Sequence, residues 1–110
     1  MKWQVVYLPE AKKDFKQLGG NQKIQVLKAL EKVSSNPLSV FEGGYGKPLG
    51  NRDNRNLSNF LKIKLRDIGI RVVYKLVRTE THMLIVVIGA RADSEVYETA
   101  NKRIQKYKLD

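Results

Sequence analysis

Cysteine is absent from the chain, so no disulfide framework, thiolate nucleophile or zinc-thiolate site can be built from it. Histidine occurs once, as His82, and no pair of histidines and carboxylates has metal-ligand spacing, so neither a metal nor a histidine-based mechanism has a candidate. No cofactor is expected. Long apolar runs are missing as well: the longest, Met83 to Ile88, is far too short to span a bilayer, and the N-terminus lacks the hydrophobic stretch of a signal peptide. These absences predict a soluble, cytoplasmic protein with no membrane partner.

Acid is the other scarce ingredient. Eleven Asp and Glu face 21 Lys and Arg, for a formal net charge of +10 and a pI near 9.9. Residues 1–59 carry ten cations and five acids, residues 60–110 eleven and six, so each part nets +5 and the charge is no detachable tail. It is densest from Gly43 to Arg66, where Lys47, Arg52, Arg55, Lys62, Lys64 and Arg66 meet only Asp53. A basic surface built into a fold favours a polyanion, nucleic acid ahead of anionic membrane, and an acidic protein would satisfy it equally.

What is present reads as one α+β domain spanning residues 1–110, ample for a hydrophobic core at 42% apolar content. Trp3 to Leu8 is β-branched and aromatic, a short strand ended by Pro9. Pro9 and Glu10 then open a helix with Ala11, Phe15 and Leu18 as its stripe. Gly19-Gly20 stops it, and Asn21 is placed to cap a second helix with Ile24, Val26, Leu27, Leu30 and Val33 as a wide apolar face. Ser39 to Asn59, rich in glycine, reads as a mobile loop whose Lys47, Arg52 and Arg55 are auxiliary phosphate contacts; its Gly-Tyr-Gly-Lys-Pro lacks phosphate-loop spacing. His82 to Ala90 reads as a central strand buried on both faces, and Val96, Ala100 and Ile104 as the stripe of a last helix with Tyr97 on its margin. The predicted architecture is a four-stranded antiparallel sheet with an N-terminal helical hairpin and a C-terminal helix.

The informative stretch is F-L-K-I-K-L-R-D-I-G-I-R-V-V-Y, from Phe60 to Tyr74. Leu61, Ile63 and Leu65 alternate with Lys62, Lys64 and Arg66, and Ile70, Val72, Tyr74 and Leu76 alternate with Arg71, Val73 and Lys75. Opposed residues of a hairpin share a face. Burying the odd apolar set against the even one therefore requires a loop of two or four residues around Asp67–Gly69. Either register puts Arg71 on the face of Lys62, Lys64 and Arg66: one face core, the other four cations on rigid backbone. A strand guarded by lysine against aggregation would look similar.

Lys62, Lys64, Arg71, Arg91 and Tyr97 form the constellation with chemistry in it. RNA cleavage can use such a set, because the attacking 2′-hydroxyl belongs to the substrate and the protein need only take its proton, stabilise charge and help the 5′-oxygen leave. A lysine crowded by cations is a better base than a lone one, whereas arginine almost never gives up its proton. Arg71 thus suits charge stabilisation. Tyr97 suits stacking on a base or orienting the ribose.

K-I-K-L-R-D-x-G-I-R-V-V-Y, followed by V-I-G-A-R-A-D-S-E-V-Y and A-N-K-R-I, resembles the RelE branch of the RelE/ParE toxin superfamily, with weaker similarity over the N-terminal half and K-P-L-G. The resemblance implies a type II toxin: a ribosome-dependent endoribonuclease that cuts mRNA in the ribosomal A site without metal, leaving a 2′,3′-cyclic phosphate and a 5′-hydroxyl. It also implies restraint by a RelB-like antitoxin encoded beside it, and operator DNA bound through the pair. Carried over, the family's lysines fall on Lys62 and Lys64 (base and phosphate contacts), its transition-state arginine on Arg71, its leaving-group arginine on Arg91 and its substrate-orienting tyrosine on Tyr97, with Arg66 an auxiliary RNA contact. Ala90 departs from the family where a basic residue is common, Ala92 and Asp93 lower the charge further, and the loop from Gly43 to Asn59 looks longer than usual. A ParE-type gyrase inhibitor without chemistry and a catalytically idle, antitoxin-bound corepressor are the alternatives.

Overall fold

A computed structural model describes residues 2–52, 55–90 and 93–109, and for residues 50–52, 55–59, 93 and 94 the backbone only. Strand β1 (Gln4–Tyr7) leads into α1 (Pro9–Lys16) and α2 (Gly20–Ser34). The antiparallel strands β2 (Lys47–Arg52), β3 (Arg55–Leu65), β4 (Ile70–Val77) and β5 (His82–Gly89) follow, and α3 (Asp93–Tyr107) closes the chain. The sheet order is β1-β5-β4-β3-β2. The class is the expected α+β, with two differences: the sheet has five strands rather than four, and β1 joins β5 in parallel, Gln4 opposite His82 and Tyr7 opposite Ile85. No helix among the described residues is long and apolar enough to cross a membrane.

The extra strand comes from the segment expected to be a mobile loop. Lys47 pairs with Lys62 and Arg52 with Arg55, so half of that segment is a β-hairpin. Before it, Val40–Glu42 forms a 3-10 turn, and Ser39 bridges Gly46. Glycine here supplies closeness. A Cβ on Gly44 would lie 2.1 Å from Leu38 O, and one on Gly46 would lie 2.2 Å from the Tyr74 hydroxyl and 2.7 Å from Leu61 Cδ2. Composition alone cannot tell a glycine that loosens a loop from one that lets backbone press onto a core.

The β3–β4 register is Leu61 opposite Tyr74, Ile63 opposite Val72 and Leu65 opposite Ile70, which leaves a four-residue connection at 66–69. Gly69 there takes a φ of +66°. Leu61, Ile70, Val72 and Tyr74 are buried as the alternation requires. Tyr74 donates to Pro37 O at 2.7 Å, tying the sheet to the segment that follows α2, and burial pushes its hydroxyl pKa up. The expected wide stripe of α2 is narrower: Val26, Leu30 and Val33 are buried, whereas Ile24 and Leu27 stay half exposed. Gly19, not Asn21, occupies the N-cap position of α2, its N–H donating to Gln22 Oε1 at 3.0 Å.

Helix α3 lies across the opposite sheet face, its Val96, Ala100 and Ile104 buried as predicted. Lys75 Nζ donates to Leu109 O near its C-terminus, and Val96 packs over Gly89. Two contacts between α3 and α1 had no signal in periodicity. Asp14 and Arg103 form a largely buried ion pair at 2.6 Å that also takes Ile88 N–H (3.1 Å) and Val86 O (2.9 Å). Nearer the surface, Glu10 accepts from Lys106 Nζ at 2.9 Å and from the Tyr107 hydroxyl at 2.7 Å.

Gly46→Ala should cost about 1–3 kcal/mol, because the methyl lands between two immobile core side chains. Urea unfolding should show a lower midpoint at constant slope, and an unchanged midpoint would mean the loop does not press on Tyr74. Lys106 and Tyr107 hold the Glu10 carboxyl at about 2, against its ordinary 4.5. A lowered carboxylate pKa adds stability that is complete above pH about 4.5 and fades as pH falls towards 2. The Tm gap between wild type and Glu10→Gln should therefore be widest near neutrality and close in that window. A gap independent of pH would assign it to packing.

Candidate active site

Cross-strand pairing sets the site. Lys47, Lys62, Val73 and Val87 are successive partners across β2, β3, β4 and β5, and Lys64, Arg71 and Gly89 are partners across β3, β4 and β5. Directly paired residues project to one face, so Lys47, Lys62, Lys64 and Arg71 share it, in two rows about 7 Å apart along the strands. Lys47, expected only as an auxiliary contact, stands opposite Lys62 within this array. The signal was the offset between the two strands, which is invisible while the segment is read as a loop.

The face is not simply solvent. Val73 is wholly buried and Tyr97 is 6% exposed, because α3 roofs part of it. Lys62 Nζ donates to the Tyr97 hydroxyl and lies 5.0 Å from the centre of its ring. The two roles expected for Tyr97, stacking on a base and orienting the ribose, thus fall on a residue that is mostly buried and whose hydroxyl is engaged by Lys62. Lys62, Lys64 and Arg71 are each half-buried. Holding cations on paired strands, partly shielded from water, raises the field available to a phosphate compared with the same charges on a loose loop.

Arg66 sits in the 3-10 turn after β3 and is exposed. With Lys64, Leu65, Gly69, Ile70 and Arg71 it rims a shallow depression of about 240 Å³. Arg91 lies outside the described residues, as do the side chains of Arg52 and Arg55; in sequence Arg91 follows Gly89, the β5 partner of Arg71, by two positions. His82 is at the far end of the sheet, opposite Val77, with Nδ1 3.1 Å from Glu80 Oε2. The array so described can bind a phosphodiester, neutralise charge gathering on it and hold one lysine in a fixed direction.

No family model matches the chain. The mRNA interferase toxin RelE of Escherichia coli K12 is 32% identical over 94 residues, which cover 86% of this chain and 88% of that protein. Among solved structures, a substituted E. coli toxin RelE in the free state superposes with a TM-score of 0.73 at 28% identity, covering 94% of this chain and 99% of its own. The same toxin bound to a peptide of the antitoxin RelBc gives 0.67 at 26% identity, covering 91% and 95%.

A double-mutant cycle on Lys62→Met and Tyr97→Phe should return a coupling energy of about 1 kcal/mol in urea unfolding, the size of a partly solvated charge-assisted hydrogen bond. Additive losses would show that the pair does not bond in solution.

Proposed function

The chain belongs to the RelE branch of the RelE/ParE toxin superfamily, and from that premise we propose that it is the toxin of a type II toxin-antitoxin system, an endoribonuclease that stops translation by cutting mRNA. The observation that carries the reading is the placement of Lys62, Lys64 and Arg71 on one rigid sheet face with Tyr97 fixed over Lys62. An RNA phosphodiester laid on that face meets cations on two strands at once.

The RNA carries its own nucleophile, so the protein's part is to move protons and stabilise charge. The 2′-hydroxyl of one nucleotide attacks the adjacent phosphorus as its proton leaves to a base. Negative charge collects on the non-bridging oxygens, and the 5′-oxygen departs with a proton, giving a 2′,3′-cyclic phosphate and a 5′-hydroxyl. Arg71 neutralises the phosphorane, since guanidinium stays charged and offers a planar fork to two oxygens. Lys62 and Lys64 share proton removal and phosphate contact. Tyr97 keeps Lys62 aimed, and Arg91 assists the leaving oxygen. Lys47 and Arg66 hold flanking phosphates, with Arg52 and Arg55 as further contacts.

The substrate is mRNA in the ribosomal A site, which places the protein in the cytoplasm. A cognate RelB-like antitoxin restrains it, and the pair binds operator DNA. A chain of net charge +10 suits both polyanionic and acidic partners.

Primer extension on an mRNA in a purified translation reaction tests the reading. Wild type should give cuts at A-site codons only when ribosomes are present, and Arg71→Ala should lower the cleavage rate roughly 100-fold or more, as when a stabilising donor is removed elsewhere, while melting as wild type does. Growth arrest without any cuts would overturn the nuclease reading and direct attention to gyrase supercoiling.

A further inference from the structure

Helix α2 carries more apolar surface than its own packing uses. Val26, Leu30 and Val33 are buried, yet Ile24 and Leu27 stay 53% and 51% exposed on the adjoining flank. Lys23 lies one turn before Leu27 on that flank, and its Nζ stands 6.0 Å from the centre of the Phe15 ring on α1. Phe15 in turn lines an open apolar pocket of about 210 Å³ with Tyr7, Lys12 and Lys16. Isolated apolar residues on a surface are ordinary, but these adjoin one another. Tyr7, Phe15, Leu27 and Ile24 form a strip across the α1–α2 hairpin, interrupted by the Lys23 side chain.

The charge around the strip is one-sided. Residues 9–34 hold six lysines and three acids, Glu10, Asp14 and Glu31, and each acid is already engaged, by Lys106, Arg103 and Lys2. Lys12, Lys16, Lys23 and Lys28 have no acidic partner among the described residues. What this surface lacks is acid. The flank of α2 that carries Leu27 and Ile24 is selective in a second way: helical N–H and C=O groups are bonded within their own helix, so no strand can be added to it. An occupant has to bring a backbone that satisfies itself, which is a helix. A phosphate backbone would use the lysines and leave Ile24 and Leu27 wet. A bilayer is entered by side chains that protrude, whereas the Tyr7–Phe15 pocket is concave and receives one.

We propose that the α1–α2 hairpin is a docking surface for an acidic amphipathic helix of a second protein. The apolar stripe of that helix covers Leu27 and Ile24, one of its side chains enters the Tyr7–Phe15 pocket, and its carboxylates meet Lys12, Lys16, Lys23 and Lys28. The surface is separate from the cation array. Tyr74 bonds to Pro37 O on the α2 side of the sheet and Lys62 to Tyr97 on the α3 side, and β1 stands three strand spacings, about 14 Å, from β3. A helix seated on the hairpin leaves Lys62, Lys64 and Arg71 open, so the proposal does not depend on what those residues do.

The test titrates the whole, isotope-labelled protein with a capped peptide of about 18 residues, leucine at every third or fourth position and glutamate and alanine between, long enough to hold a helix. A shuffled isomer keeps the charge and loses the stripe. Amide resonances should shift at Tyr7, Phe15, Lys23, Ile24 and Leu27 and stay still at Lys62, Lys64 and Arg71. Leu27→Gln and Ile24→Gln, at half-exposed positions, should melt as wild type does and each weaken binding roughly 5-fold. Lys12→Gln combined with Lys16→Gln should weaken it too and flatten its dependence on salt. Equal binding of the shuffled isomer overturns the proposal, since charge alone then suffices. So does wild-type affinity in Leu27→Gln, an absence of binding, or shifts at Lys62, Lys64 and Arg71 instead of the hairpin, which would seat the acid on the cation array. Vesicles with about one-third phosphatidylglycerol form the last arm. The protein should ignore them; vesicle binding that Leu27→Gln abolishes would give the strip to a bilayer and overturn the helix.

Discussion

Strand β5 would be half-finished without the Asp14–Arg103 pair. Strand β1 covers its edge only from His82 to Ile85, since Pro9 turns the chain into α1 immediately afterwards. Beyond that point Ile88 N–H and Val86 O still need partners, and no further strand among the described residues supplies them. Asp14 accepts the N–H, Arg103 donates to the carbonyl, and the two bind each other. Side chains 18% and 16% exposed thus have their charges and hydrogen bonds matched together. Breaking such a pair from one side typically costs about 3–5 kcal/mol, because a mostly desolvated charge is left behind.

The same pair decides where α3 lies, and hence what Tyr97 can do. Arg103 anchors the middle of α3 to α1 and β5, Lys106 and Tyr107 clasp Glu10 near its end, and Val96 settles over Gly89 at its start. With the helix held at three levels, Tyr97 is directed at Lys62. An interaction on the side of α3 facing α1 thereby fixes a lysine on the opposite side. Positioning through a rigid helix suits a site in which small displacements of a charged group are costly to rate.

Cations collect on one sheet face at an electrostatic cost that the fold keeps local. Val73 and Val87 share the Lys47–Lys62 row and pack beneath α3, so apolar burial continues across the face while the charged heads gather on the β2 and β3 side. The β2–β3 hairpin is therefore more than a connection. It adds Lys47 to the array, opposite Lys62.

Much of this was legible from residue order. Alternation in Leu61–Leu65 and Ile70–Leu76 defined the hairpin, its core face and its cationic face, because a strand's period of two leaves no freedom once one face is apolar. Pro9 marked the start of α1, and the run from Met83 to Ile88 marked a strand buried on both sides. The family likeness rested on the same stretches. Less was legible where contacts join distant segments. Gly44 and Gly46 looked like flexibility and proved to be close packing; β1 gave no sign of running parallel to β5; Lys47 meeting Lys62, Lys62 meeting Tyr97 and Asp14 meeting Arg103 have no periodic signature at all. Local pattern determines which way a side chain faces within its own element, since that depends on backbone geometry a few residues long. Which elements then face each other is settled by burial and hydrogen-bond matching over the whole chain, and only the tertiary structure decides it.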